Sequence, residues 1–227
     1  MNYAEKEFII SPAYLNNDDL LSEYRKLKNK SYSELNQNFP GRYRYRLANF
    51  ASEIKLRNLI EIDEDEFKNT DEPEKYPTEY YENAYKQFDL LKIRYKGKSD
   101  ARISVPETLQ ELWRQHKYSI MARNISLYKK TGHFVAEHND LKYFSDIYAF
   151  LAVEMQKKPS KNAVLNVLQH MWGYISNASN LKKSEVPGLD LFSFFKEIQH
   201  CVKLSGQKYL YEQIALSELG IWINEKI

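Results

Sequence analysis

The chain has 227 residues, 43% of them hydrophobic and 28% charged, with 33 Lys and Arg against 31 Asp and Glu. That length supports a hydrophobic core without disulfides or metals, and so small a net charge names no partner. Cys201 is the single cysteine, which excludes an intramolecular disulfide and any iron–sulfur cluster built by this chain alone.

A first helix is expected near Asp18–Lys30, with Leu20, Leu21, Tyr24 and Leu27 on its apolar stripe and Asn17 or Asp18 as its cap. "NFPGRY" (38–43) reads as a turn, followed by a helix over Tyr45–Glu61 with Leu47, Phe50, Ala51, Ile54 and Leu59 in register. The acidic stretch 63–79, holding Pro73 and Pro77, reads as a solvated loop, and a third helix runs near Glu79–Tyr95. "KGKSDARISVPE" has the composition of a linker or domain joint. Beyond it, "PETLQELWRQHKYSIMARNISLYKKTG" reads as one long helix, opened by Pro106 and closed by Gly132. A helix over Leu141–Lys157 follows, then one over 161–176, the loop "NASNLKKSEVPG", and two final helices in "LDLFSFFKEIQHCVKLSG" and "QKYLYEQIALSELGIWIN". The expectation is an all-α protein, either two helical domains (1–100 and 101–227) or one extended helical bundle. Seven glycines and seven prolines agree with that, and no G-x-G-x-x-G or Walker A loop is present. No stretch approaches about 18 consecutive apolar residues, and the first residues lack a signal-like apolar run. No membrane association and a cytoplasmic location are therefore expected.

Three groups of residues carry candidate chemistry. "RKLKNKSYSELNQNFPGRYRYR" (25–46) holds seven basic residues and one acid, interleaved with aromatics. Tyr24, Arg25, Arg42, Arg44 and Arg46 are its candidate contacts, since cations neutralise phosphates and aromatic faces stack on exposed bases. On the long helix His116, Lys117 and Arg123 are polar or basic, and His116 and Arg123 lie two turns apart. The helix over 161–176 has an apolar side of Val164, Val167, Leu168, Met171 and Ile175. Its other side carries Asn166, Gln169, His170 and Tyr174, with Lys161 at its start. Uncharged donors and acceptors beside lysines suit a phosphate, a sugar or a base edge; the alternative is a set of interior groups bridging helices. His133 and His138 make a loose pair, but Asn166 is a poor zinc ligand and no metal-binding motif supports either site. No metal and no cofactor are expected.

Two resemblances add to this reading. "LWRQHKYSIMARNISLYKKTGHFVA" (112–136) and "KKPSKNAVLNVLQHMWGYIS" (157–176) resemble the YbgA-like family of domains of unknown function (DUF1722-type), over about 104–216. The matching positions include His116, Lys117, Tyr118, Tyr128, Gly132, the run Asn166 to His170, Gly173 and Tyr174. After 180 the pattern departs, and only "YLYEQIAL" is similar to the family's end. Similar domains occur fused to desulfidases acting on thiouracil-type bases in tRNA, so the resemblance implies RNA or DNA binding; this chain lacks the cysteines for that chemistry. "ISPAYLNNDDLLSEYRKLKN" (10–29) resembles the first helix of pyrimidine-dimer DNA glycosylases of the endonuclease V type, implying a helical domain over about 8–100. Such enzymes attack the sugar with an N-terminal amine to form a Schiff base, beside a catalytic glutamate. Here the glutamate position is Lys26, with Glu23 one turn earlier as the weak catalytic candidate, and the amine would be that of Met1 or Asn2.

The function expected is nucleic-acid binding, to tRNA or damaged DNA, in repair or modification and without catalysis of its own. The alternatives are a glycosylase/lyase and a structural or protein-partner module. A homodimer or a partner enzyme completes the expected partners.

Overall fold

The computed structural model describes residues 10–29, 40–67, 73, 78–96, 98–138, 140–181 and 184–223. Among them are ten α-helices and no strand, so the fold is all-α. The N-terminal half contributes α1 (Asn17–Asn29), α2 (Pro40–Arg57) and α3 (Thr78–Tyr95). The cap of α1 comes one residue earlier than expected: the Asn16 side chain accepts from the Asp19 backbone N–H at 2.7 Å. α2 begins at Pro40 rather than Tyr45, because proline suits the first helical turn. It ends at Asn58, whose φ of 56° is a left-handed stop, with the Leu59 N–H returning to the Ile54 carbonyl at 3.2 Å. The acidic stretch is not wholly solvated. A short 3-10 turn at Glu64–Phe67 inserts Phe67 into the core, and Ile62 and Pro73 are buried too.

The expected long helix over 106–132 is two helices, α4 (Leu109–Met121) and α5 (Ile125–Glu137). Thr108 caps α4, and Asn124 caps α5 by accepting from the Leu127 N–H at 3.0 Å. Gly132 therefore lies inside α5, where it lets the helix approach α4: a Cβ there would sit 3.3 Å from the Trp113 indole nitrogen. α6 (Phe144–Met155), α7 (Lys161–Ile175) and α8 (Leu191–Ser205) follow close to expectation. The expected last helix is also broken, into a single turn α9 (Lys208–Tyr211) and α10 (Ala215–Ile223). The reason is tertiary. The Ile214 N–H is taken by the Gln115 carbonyl of α4 at 2.9 Å, and the Gln213 carbonyl accepts from Arg102 at 2.9 Å.

α10 is buried all round and stands between two apolar clusters. Ile221 and Trp222 join the first, with Tyr14, Phe50, Ile54, Phe88, Leu112 and Phe144. Leu216, Leu219 and Ile223 join the second, with Val167, Leu168 and Met171 of α7 and Phe194 and Ile198 of α8. Residues from both sides of position 100 thus build the first cluster, and α10 packs on α2 so closely that a Cβ at Gly220 would meet the Ser52 hydroxyl at 2.7 Å. The expected joint at 96–107 is an ordered crossing: Ile103 is buried and its N–H bonds the Ala13 carbonyl at 3.1 Å.

A buried ion network ties these segments together. Glu53 of α2 accepts from Arg102 Nε and Nη2, each at 2.8 Å, and from Arg57 Nε at 2.8 Å. Arg102 also donates to Ser217 Oγ at 3.2 Å and to the Tyr211 carbonyl, while Arg57 donates to the Leu15 and Ala13 carbonyls at 2.8 and 3.0 Å. Burial alone would raise the Glu53 pKa. The guanidinium of Arg102, then that of Arg57, outweighs it and holds the group at about 2. Glu53→Gln leaves two buried guanidinium groups without a counter-charge, and urea titration is expected to show a loss of about 3–5 kcal/mol. The wild-type pair contributes fully above the ordinary carboxyl value near 4.5 and is lost as the pH falls toward 2.

Candidate functional site

Helix α7 starts where Ser160 caps it, the hydroxyl accepting from the Ala163 N–H at 3.3 Å. Val164, Val167, Leu168, Met171 and Ile175 bury one side against α8 and α10. The opposite side is open: Asn166, Gln169, His170 and Tyr174 are all exposed, Tyr174 by 56%, and Lys161 is exposed in the first turn. Among the described residues, the side chains of Asn166, Gln169 and His170 have no hydrogen-bond or ion-pair partner. The polar stripe therefore does not bridge helices. At 1.5 Å per residue, the face from Asn166 to Tyr174 is about 12 Å long.

The C-terminal end of this face meets two other elements. The Tyr174 ring lies 5.6 Å from that of Tyr209 on α9, and Lys117 Nζ of α4 sits 4.9 Å from the Tyr209 ring centre. Lys117 also stands 5.4 Å from the centre of buried Tyr118, which packs edge-on to Tyr209 at 6.4 Å. Burial and then the neighbouring Tyr209 push the Tyr118 hydroxyl well above the ordinary tyrosine range, so this group stays neutral. The result is a cation on an aromatic platform, at the end of a neutral hydrogen-bonding edge. Tyr209 and Tyr118 were not among the residues expected at a site from the sequence. Tyr118 follows Lys117, but Tyr209 belongs to a stretch that reads as ordinary helix, and only the break before α10 turns it toward α7.

Several expected contacts lie elsewhere or have other work. His116 is fully buried, with Nδ1 2.7 Å from the Leu112 carbonyl and its ring among Tyr14 and Tyr148. Arg123 is also withdrawn from solvent: it pairs with Glu218 at 2.5 Å and donates to the Ser119 and Lys157 carbonyls at 2.8 and 2.7 Å. Tyr24 is buried with its hydroxyl on Glu66, and Arg46 is buried with its guanidinium 5.0 Å from the Phe50 ring. Arg42 is buried, Arg44 half-buried and Arg25 exposed. Because "RYRYR" is helical, Arg42 and Arg46 share the buried side of α2 and Arg44 lies on another. This group packs against the first apolar cluster, whereas α7 packs against the second. Glu23 is paired with Lys26 at 2.6 Å, and Met1 and Asn2 lie outside the described residues. His133 pairs with Glu137 at 3.2 Å and His138 stacks on Phe134. Among the described residues no group of three or more His, Cys, Asp or Glu is placed to hold a metal ion.

The geometry defines an all-α protein that presents one rigid, neutral-polar helix face ending in a tyrosine–lysine cluster. Residues 117–218 match the family model described as "Protein of unknown function (DUF1722)", so this stretch is similar to a YbgA-like domain. The match runs from Lys117 through α7 to Glu218, taking in the whole face and platform, and covers no part of the first hundred residues. No curated protein and no solved structure matches the chain. Among the described residues no helix is long and apolar enough to cross a membrane.

Two outcomes separate the open face from the buried groups. The triple variant Asn166→Ala, Gln169→Ala, His170→Ala is expected to shift unfolding by less than about 1 kcal/mol, because exposed substitutions away from special features cost little. Burial holds the His116 pKa down at about 4 against its ordinary 6.5, with the Leu112 carbonyl opposing. Only the unfolded chain then takes up that proton between those values. Stability falls as the pH drops from about 6.5 to about 4, by about 3 kcal/mol in full. Urea midpoints measured across that window should flatten in His116→Phe.

Proposed function

We propose that the chain binds nucleic acid, with single-stranded segments of RNA such as the loops or end of tRNA as its main ligand, and serves RNA modification without chemistry of its own. The observation that carries this reading is the open face of α7. Asn166, Gln169 and His170 offer both donors and acceptors with no partner in the fold, and Tyr174 and Tyr209 lie at its end under Lys117. Unstacked bases pair with amides and imidazole by their edges and stack on aromatic rings by their faces. Lys117 at the end of the face, and Lys161 in the first turn of α7, reach phosphates. A duplex, whose base edges lie within grooves, fits a single straight helix face with one protruding ring less well than a splayed strand does. The family likeness agrees with this reading, since similar domains occur fused to tRNA-acting desulfidases. The glycosylase alternative has no comparable support: Glu23 is held by Lys26.

Binding of a labelled single-stranded RNA, followed by fluorescence anisotropy at two salt concentrations, tests this reading. A micromolar or tighter complex at low salt that weakens steeply as salt rises is expected. Tyr174→Ala and Lys117→Ala should each weaken it by about 1–2 kcal/mol, while Lys142→Ala on the far exposed turn changes it little. No binding at low salt, or equal losses for all three variants, would overturn the reading.

A further inference from the structure

A cavity of about 530 Å³ lies on the other side of α9 from the platform. That is within the range of small-ligand pockets. Its lining includes Tyr14, Tyr95 and Tyr211; Tyr14 has no exposed surface and Tyr95 little, so the ring on offer is that of half-buried Tyr211. The hydroxyls of the first two are already committed: Tyr14 donates to Gln115 Oε1 at 2.7 Å, and Tyr95 donates to Asp19 at 2.8 Å while accepting from the Asn16 N–H at 3.0 Å. Arg102 also lines the cavity, but Glu53, Ser217 and two carbonyls use its donors. The accessible lining is thus the Tyr211 ring with Ser99, Ala101, Ser104 and Val105, since Tyr14, Leu91 and Ile103 are fully buried.

Charge is available only at the mouth. Lys208 is 84% exposed at its side chain and stands 3.7 Å from Glu212, which Arg114 already holds at 2.7 Å. Lys92 stands 3.9 Å from Asp89, at the limit of an ion pair, and exposed Glu107 adds a carboxylate acceptor. A guest matched to this arrangement has a flat, weakly polar body, an anionic end and a donor beside that end. Inorganic phosphate lacks the body, and a free sugar lacks both the body and the charge.

The cavity and the platform share two elements. On α9, Lys208 and Tyr211 line the cavity while Tyr209 faces Tyr174 and Lys117. On α4, Arg114 holds the cavity's Glu212 and Lys117, one turn on, covers Tyr209. One turn is about 5 Å along the axis of α4, so the two sites are anchored on neighbouring positions of one helix. We propose that this cavity receives a single nucleotide unit, base against the Tyr211 ring and phosphate at Lys92 and Lys208, and that the unit is the unstacked or terminal nucleotide of a strand held along α7. The proposal rests on the nucleic-acid reading above for the source of the nucleotide, but not for the chemistry of the cavity.

The test uses the full chain, a fluorescent single-stranded RNA oligonucleotide, and uridine and adenosine monophosphate measured by equilibrium dialysis. Ser104→Trp places an indole in the cavity from an exposed lining position, and Lys92→Ala with Lys208→Ala strips the mouth. Both leave Tyr174 and Tyr209 in place. Oligonucleotide affinity is expected to fall about tenfold in each, the scale of one lost base or phosphate contact. Monophosphate binding should be measurable in the wild type and lost in Ser104→Trp. Undiminished oligonucleotide binding in both variants, with no monophosphate bound, overturns the cavity proposal and leaves the α7 reading standing. If the wild type binds no oligonucleotide, the α7 reading fails. Monophosphate binding that Ser104→Trp abolishes then supports the cavity as a free-nucleotide site, and its absence overturns the cavity as well. Should circular dichroism show Ser104→Trp unfolded, the double lysine variant decides.

Discussion

One buried carboxylate sets much of this architecture. Glu53 has lost nearly all contact with water, and so have the two guanidinium groups that face it. Desolvating three charges costs more than their attraction returns unless the remaining donors also find partners. Here they do, and each partner lies on a different stretch of chain: the carbonyls of Ala13 and Leu15 before α1, and those of Tyr211 and Gln213 around the last bend. Satisfying the charges therefore fixes the path of the chain. The same bonds place the candidate site, because the Tyr211 carbonyl held by Arg102 ends the single turn that carries Tyr209.

Periodicity was a good guide to where helices exist and a poor one to where they stop. α3, α7 and α8 lie where the 3.6-residue pattern puts them, and most of their described apolar positions are buried, with Leu90, Ile93, Leu165, Phe192 and Leu204 left exposed. The two missed breaks have different causes. At Ala122–Asn124 a local signal was present, since asparagine before a run of helix formers is a natural N-cap. The apolar pattern passes through the break and hides it. At Glu212–Ile214 no local signal exists. Backbone groups there are taken by Gln115 and Arg102, which are remote in sequence. The early start of α2 has a local cause, as Pro40 opens a helix as readily as it makes a turn.

The candidate site was legible in proportion to how local its parts are. The two faces of α7 could be read from spacing alone, because α7 is one uninterrupted helix with a sharply divided surface. The basic run at 25–46 gave the opposite result. Its composition suggested a solvated ligand surface, yet Arg42 and Arg46, four apart, both point inward. An arginine buries readily when its flat cation lies over a ring such as Phe50 and its donors meet carbonyls, as Arg46 does with that of Ile10 at 3.3 Å. Arg123 follows the same logic with Glu218. Sequence shows the charge but not the acceptor waiting inside, so the cations most easily noticed were mainly those the fold had already used.

That distinction bears on what the α7 face is for. A face of lysines alone would hold phosphates of any sequence, since phosphate contacts position a strand without reading it. Amides and an imidazole add groups that donate and accept in directions fixed by the helix beneath them. That helix is anchored by six buried apolar side chains rather than carried on a loop. The fold makes no use of those polar groups: with their donors and acceptors unspent, Asn166, Gln169 and His170 add nothing to its hydrogen bonding. Solvation alone would be met as well by lysine and glutamate, which are also better helix formers than asparagine or histidine. Uncharged hydrogen-bonding groups held rigidly, next to exposed tyrosine and a cation, gain a physical purpose when a partner supplies complementary edges and a flat face to stack.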